Sequence, residues 1–311
     1  MCLYPRIIEN QKYKPNSKNG GYPPECKDDR VKAVAVGCGQ CVECRKQKAR
    51  EWQVRINEEI RTDGRGKFMT MTFNDEAFAE LDPNNEMEAN EFAALAIELF
   101  RKRWYKKYRE GIKHWLVTEL GHGKHSPDHK STERLHLHGF IWTDKTCAEI
   151  EERWKYGWID EGEYVNEKSV GYCVKYVSKV DEAHPKFVSR VFASKGIGKG
   201  FFERSDAKLN KFRGTETREY YKTPSGIKLA LPRYYRNKLY TEEQREQLWI
   251  NLLDKKIRYV RGEKIDISTP EGEEEYFKAI KYRQAENVAL GYTQDPWTKK
   301  SYKKVREKFG L

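Results

Sequence analysis

The apolar positions of this chain fall into two repeats, and their alternation sets the order of elements. In residues 67–73, Met69, Met71 and Phe73 alternate with Thr70 and Thr72, the period of two that a half-buried strand requires. In residues 42–61, Trp52, Ile56 and Ile60 recur every four positions, a narrow helical stripe flanked by Arg45, Lys46, Lys48, Arg50, Arg55 and Arg61. A second helix is expected over 89–110, with Phe92, Leu95, Ile97, Phe100 and Trp104 inward and a basic exit at Arg101, Lys102, Arg103, Lys106 and Lys107. Residues 113–120 and 134–142 read as strands separated by a polar loop over 121–133. A short helix over 146–155, a short strand over 158–160 and a helix over 169–180 complete the pattern. The order β, α, β, β, α, β, α indicates an α+β fold: a central antiparallel or mixed sheet covered by helices on one face, and not a doubly wound parallel one.

Outside this stretch the pattern weakens. Residues 1–40 mix Pro, Gly, Asn and Lys and read as turns. Residues 218–222 and 227–231 form a hairpin around Thr223-Pro224-Ser225-Gly226, and Thr241-Glu242-Glu243-Gln244 opens a helix with a capping box. After Leu253 the chain is highly charged with little apolar periodicity, and it is basic again over 299–308. Three parts are therefore expected: an N-terminal cysteine-containing segment and basic helix packed on the core (1–62), the core (63–240), and a charged accessory region, mobile in part (241–311).

Charge narrows the class of partner. Lys plus Arg number 60 against 48 for Asp plus Glu, a net charge of +12, which favours an anionic partner, nucleic acid first. The 19 Tyr and 8 Trp suit base stacking or a filled core equally. The start Met1-Cys2-Leu3-Tyr4-Pro5-Arg6 lacks the layout of a signal peptide, and the longest apolar run, 92–100, is too short to span a bilayer. A soluble, intracellular protein with no membrane partner is expected, in a compartment that keeps its seven cysteines reduced.

The candidate chemistry lies on one strand and one helix. On the strand over 134–142, His136 and His138 point to the same face and can share one cation. Two imidazoles and a carboxylate leave open positions for phosphate oxygens and water, and Glu119, near the end of the preceding strand, is the best third ligand. Its rivals are His122, His125, His129 and Glu133 in the intervening loop. On the helix over 169–180, Tyr172 and Tyr176 share a face, and each has a lysine three residues on, Lys175 and Lys179. A phenol is a weak nucleophile at its ordinary pKa near 10, so a metal ion or a lysine must polarise the phosphate it attacks. Such an attack on DNA gives a covalent phosphotyrosine and frees a sugar hydroxyl, with no nucleotide cofactor; the second phenol can then accept the next strand. Taken alone, the tyrosine helix would read as an amphipathic packing helix.

Cys38, Cys41 and Cys44 form a third constellation. With Cys2 or Cys26 as fourth ligand they suit a structural Zn²⁺, and a set of free buried thiols stays equally open; an iron–sulfur cluster would want a further cysteine soon after Cys44. Bound zinc would order the N-terminal segment against the basic helix and set Arg45, Lys48 and Arg55 on DNA. Arg101 to Lys107 and Arg233-Tyr234-Tyr235-Arg236 are further basic runs, which more often form solvated faces. The glycines at 196, 198 and 200 do not make a phosphate loop: Ala193 stands where its first glycine belongs, and Gly200 where a Ser or Thr would bind magnesium.

The His-x-His strand and two-tyrosine helix resemble the HUH endonuclease superfamily, specifically its two-tyrosine replication initiators. Met1-Cys2-Leu3-Tyr4-Pro5, Cys38-Gly39-Gln40-Cys41-Val42-Glu43-Cys44-Arg45 with Trp52 and Arg55, and Ser194-Lys195-Gly196-Ile197-Gly198 look like the initiator of gokushoviruses, single-stranded DNA phages of the microvirus group. The resemblance covers about residues 1–205 and is weak beyond. Residues 68–72 correspond to the first motif, with Met71 where leucine is commoner, and Glu119-Leu120-Gly121 to a glutamate followed closely by glycine. It implies a central antiparallel sheet of the RRM or ferredoxin-like kind, with the histidines on a middle strand and the tyrosine helix across it. It further implies His136, His138 and Glu119 on Mg²⁺ or Mn²⁺, Tyr172 and Tyr176 as nucleophiles, and origin-specific nicking and rejoining of single-stranded phage DNA in rolling-circle replication. A host helicase and polymerase would act with it in the host bacterial cytoplasm. A transposase or plasmid relaxase shares this residue chemistry. A non-enzymatic nucleic-acid-binding protein built on a zinc module is the alternative from another class.

Overall fold

The computed structural model describes residues 2–121, 134–180, 184 and 187–292. In chain order its strands are β1 (Arg6–Glu9), β2 (Ala33–Val36), β3 (Gly66–Thr72), β4 (Lys113–Leu120), β5 (Leu135–Trp142), β6 (Ile159–Gly162), β7 (Val191–Ala193), β8 (Tyr220–Lys222), β9 (Lys228–Ala230), β10 (Ile257–Val260) and β11 (Glu263–Asp266). Its α-helices are α1 (Val42–Thr62), α2 (Asp75–Leu81), α3 (Ala89–Tyr108), α4 (Cys147–Trp154), α5 (Glu167–Ser178), α6 (Arg233–Leu239), α7 (Glu242–Asp254) and α8 (Pro270–Ala289). These form two compact units. One comprises residues 48–207 and 221–232; the other comprises 1–47, 208–220 and 233 onward. The expected three-part division along the chain is thus replaced by one in which the N- and C-terminal segments share a unit.

The first unit is built on a five-stranded sheet in the order β6-β3-β5-β4-β7, with every pairing antiparallel. The histidine strand β5 is its middle strand. Period two divides the side chains: Met69, Met71, Leu116, Leu137 and Ile141 face one way, into a core with Phe92, Ala96, Ile97, Phe100 and Trp104 of α3 and Ile150 and Trp154 of α4. Trp115, Val117, Phe140 and Trp142 face the other way, onto Val170, Cys173, Val174 and Val177 of α5 and Ala49 and Ile56 of α1. The sheet is therefore covered on both faces, not on one. The reason lies in α1 and α5: each carries an apolar stripe that needs a sheet face of its own, and α3 already fills the opposite one.

Local signals fix the ends of these helices. The Thr146 hydroxyl accepts from the Glu149 N–H while Glu149 reaches back to the Thr146 N–H, a capping box that starts α4. Gly139, within β5, has φ +159° and lies so close to β4 that a Cβ there would run into the Trp115 carbonyl oxygen. That close approach is why a glycine follows His138 in the middle of a buried strand.

Helix α2 and strand β7 were not legible in the sequence, being short and without a clear period. In the second unit, β1 pairs with β2 and β10 with β11. The helix expected from Thr241 is α7, with its capping box closed by Gln244. The region after Leu253 contains β10, β11 and the long helix α8, so it is more ordered than its composition implies. Helix α8 escaped detection because its buried residues are polar: Arg283 and Asn287, the latter accepting from the Val42 N–H at 2.9 Å. Residues 122–133 and 299–308 lie outside the described residues, and with them the rival ligands His122, His125, His129 and Glu133. Among the described residues no helix is long and apolar enough to cross a membrane.

Candidate active site

The strand register assembles the first constellation. Across β4 and β5, Glu119 stands directly opposite His136 and Val117 opposite His138; across β3 and β5, Thr72 stands opposite His136 and Thr70 opposite His138. Opposed residues project from the same face, so a carboxylate, two imidazoles and two hydroxyls converge there. The His138 Nε2 lies 2.9 Å and the His136 Nε2 3.2 Å from the same oxygen, Glu119 Oε2.

The second nitrogen of each ring is also held. His136 Nδ1 lies 3.0 Å from the Arg134 carbonyl oxygen, and His138 Nδ1 lies 3.1 Å from Thr70 Oγ1. A carbonyl oxygen only accepts, so His136 donates from Nδ1; in the neutral ring this leaves the Nε2 lone pair facing a carboxylate oxygen. Two acceptors at 3.2 Å repel unless a cation or a second ring proton sits between them. For an octahedral ion with ligands at about 2.1 Å, neighbouring donor atoms stand about 3.0 Å apart. The donor set therefore fits a divalent ion, held on one side by Glu119, His136 and His138, whose donor atoms all lie within 4.8 Å of one another.

Helix α5 brings the phenols to this face. Asn166 caps it, accepting from the Lys168 and Ser169 N–H groups at 2.8 and 3.1 Å, while Val170, Cys173, Val174 and Val177 seat it on the sheet. Tyr176 stacks on His138, with ring centroids 4.7 Å apart and planes 10° from parallel. The Tyr176 hydroxyl donates to the Tyr172 oxygen at 2.6 Å. Exposure separates the pair: Tyr172 is 42% exposed and Tyr176 9%. Burial, then the bond to Tyr172 and the Glu119 charge, push the Tyr176 phenol well above its ordinary range.

The two lysines diverge. Lys179, where the chain leaves α5, donates to Glu119 Oε1 at 3.1 Å and stands 5.4 Å from the Tyr176 ring centroid. Lys175 is exposed, 5.7 Å from the Tyr172 ring. Burial raises the Glu119 carboxyl, but hydrogen bonds from His136, His138 and Lys179 outweigh it and hold the group well below the carboxylate range. Thr70 and the Arg134 carbonyl, which orient the rings, were missed in the sequence. A β-strand threonine carries no signal of its own, and only the β3–β5 register reveals its partner.

The other site residues are distributed as follows. In the second unit, Cys2, Cys38, Cys41 and Cys44 gather with their sulfurs within 4.8 Å of one another. Cys26 stands apart, its thiol donating to the Asp28 carbonyl at 3.1 Å. Arg45 is a correction: it is only 5% exposed and lies over the Tyr292 ring, so it does not present a charge to DNA. Lys48 is exposed. Arg55 donates to the Ile197 carbonyl at 3.0 Å and stacks on Trp52, 4.2 Å from the ring centroid. The glycine motif is structural as well: the Gly198 N–H donates to Glu59 at 2.5 Å, and Ser194 Oγ accepts from the His114 N–H at 3.0 Å. Of the basic runs, Arg103 is spent on the Arg153 and Trp154 carbonyls and Arg236 on Glu219.

The family model for the replication-associated protein ORF2 group matches residues 66–181, the stretch from β3 through α5 that contains Glu119, His136, His138, Tyr172 and Tyr176. Replication-associated protein VP4 of Bdellovibrio phage phiMH2K is 23% identical over 307 residues, covering 90% of this chain and 91% of the relative. Replication-associated protein ORF2 of Spiroplasma virus 4 is 26% identical over 270 residues, covering 79% and 82%. No solved structure matches the chain. The resemblance to a microvirus-type initiator, read from the motifs, is met by these matches.

Proposed function

We propose that this chain is a replication initiator of the HUH kind, which nicks single-stranded DNA at an origin and rejoins it through a tyrosine. The observation that carries the reading is the meeting of Glu119, His136 and His138 with the stacked and hydrogen-bonded pair Tyr176 and Tyr172 on one sheet face. The relatives' names, both replication-associated proteins of a phage or virus, support the same role for this chain. A divalent ion, Mg²⁺ or Mn²⁺, held by Glu119, His136 and His138 would polarise the scissile phosphate.

The side chains then divide the work. Tyr172, the exposed phenol, attacks the phosphorus; the bond from phosphorus to the 3′ oxygen breaks, and the phenolic proton ends on the released 3′ hydroxyl. The 5′ phosphate stays on Tyr172 as a diester, which conserves the bond energy and needs no nucleotide. Tyr176, buried and donating to the Tyr172 oxygen, positions the first phenol and serves as second acceptor when the strand is exchanged. Lys179 holds the Glu119 carboxylate in place, and Lys175 faces the approaching phosphate. Strand separation and synthesis from the freed 3′ end fall to a host helicase and polymerase, in the host bacterial cytoplasm.

The experiment is direct: full-length protein is incubated with fluorescent single-stranded oligonucleotides tiling the replicon that encodes it, with Mn²⁺ or with chelator. A denaturant-resistant adduct is expected with the metal alone, on a restricted set of oligonucleotides, and none from Tyr172→Phe/Tyr176→Phe. An adduct that persists in the double variant overturns the tyrosine mechanism. DNA binding without an adduct in any condition favours a non-enzymatic binding protein.

A further inference from the structure

The four cysteines of the second unit form a site of their own, outside the matched stretch and unused by the chemistry above. We propose that Cys2, Cys38, Cys41 and Cys44 bind one structural zinc ion. Zinc held by four thiolates at about 2.3 Å sets its sulfurs about 3.8 Å apart. The Cys38 and Cys44 sulfurs lie 3.9 Å apart and those of Cys2 and Cys41 4.0 Å. A bridged cluster of several irons would spread its thiolates more widely than a single ion does.

The surrounding chain is arranged for thiolates. The Cys38 and Tyr4 N–H groups donate to the Cys2 sulfur at 3.2 and 3.3 Å, the Cys41 N–H to the Cys38 sulfur at 3.3 Å, and the Leu3 N–H to the Cys41 sulfur at 3.5 Å. Gly39, at φ +77°, turns the chain tightly enough for Cys38 and Cys41 to share one centre. Gly37 lies against the set, where a Cβ would stand 3.2 Å from the Cys44 sulfur.

A second, independent observation is the buried Arg45. Among the described residues it makes no ion pair with a carboxylate, and its Nε has no hydrogen-bond partner. Burying a guanidinium without a counter-charge is costly. A zinc ion with four thiolates carries a net charge of −2, and Arg45 follows Cys44 directly, so the centre supplies that counter-charge. With no open coordination position left, the ion is structural and not catalytic. It ties Cys2 to the start of α1, and α8 closes over the same place: Gln284 donates to the Leu3 carbonyl at 2.7 Å, and Ile280 and Tyr292 pack on Leu3, Tyr4, Cys41 and Val42. An apolar cluster this small is the kind that a metal ion completes.

The test measures metal per chain and thiol reactivity on full-length protein purified without added metal. Wild type, Cys26→Ser and His136→Ala/His138→Ala should each retain one zinc ion that survives mild chelation, which separates this site from the Glu119 site whatever the latter does. Cys38→Ser/Cys41→Ser should lose it. Because that variant can misfold, wild type is also exchanged with Co²⁺, which should give thiolate charge-transfer and tetrahedral ligand-field bands. In wild type four thiols should resist a disulfide reagent until chelator and denaturant are added. Zinc-free protein with freely reacting thiols, zinc lost on changing the two histidines, or iron in place of zinc would each overturn the proposal.

Discussion

A threonine decides how well His138 can bind a metal. The Thr70 hydroxyl fixes the ring through Nδ1 and so points Nε2 at Glu119 Oε2. Thr70→Val keeps the shape and removes the hydroxyl. The cost of losing such an orienting partner is about 10–100-fold in metal affinity. A Mn²⁺ titration of adduct formation should shift to higher concentration by that order, with thermal stability little changed; an unshifted titration would mean that Thr70 does not position the ring. The histidine pair and the tyrosine pair were legible because each is a short-range pattern of one element. Thr70, the Arg134 carbonyl and the burial of Arg45 were not, because each depends on a neighbour distant in sequence. Arg45 shows the hazard: in the sequence it belongs to a basic helix, whereas its surroundings are sulfur and an aromatic ring.

At the level of elements, the strands and helices of the sheet unit were legible wherever the apolar period ran for two turns or more. The elements that escaped, α2, β7 and α8, are short or bury polar groups. Asp63 exemplifies what joins elements once they form: it accepts from Arg65 at 2.8 Å and from Lys113, the first residue of β4, at 2.8 Å. The hydrogen bond from Arg65 and then that from Lys113, against the opposing effect of burial, hold its carboxyl below the usual range. A depressed folded-state pKa stabilises the fold above the unfolded value near 3.9, and the contribution is lost as pH falls through the folded value. Asp63→Asn should therefore be less stable by about 1 kcal/mol at neutral pH. Urea midpoints of variant and wild type should converge as the pH drops below 4; a constant gap would refute the assignment. Likewise, Asn166→Ala removes the α5 cap and should cost about 1 kcal/mol, seen as faster amide exchange in the first turn of the tyrosine helix.

For the whole molecule, the charge of +12 and the catalytic face are separable contributions. Lys and Arg attract the phosphate backbone whether or not a metal is bound, so His136→Ala/His138→Ala should abolish adduct formation yet retain salt-sensitive binding of single-stranded DNA. Loss of both together in a folded variant would contradict that separation. The antiparallel order β6-β3-β5-β4-β7 makes the middle strand the histidine strand and gives α5 one face of the sheet, so the fold itself delivers two phenols to two imidazoles. Mass-spectrometric mapping of the adduct, trapped early with Mn²⁺ and digested, tests that claim most directly. The account predicts a 5′-linked nucleotide on the α5 peptide, at Tyr172 in wild type. A nucleotide on a residue outside α5, or cleaved DNA carrying a free 5′ phosphate with no attached peptide, would contradict it.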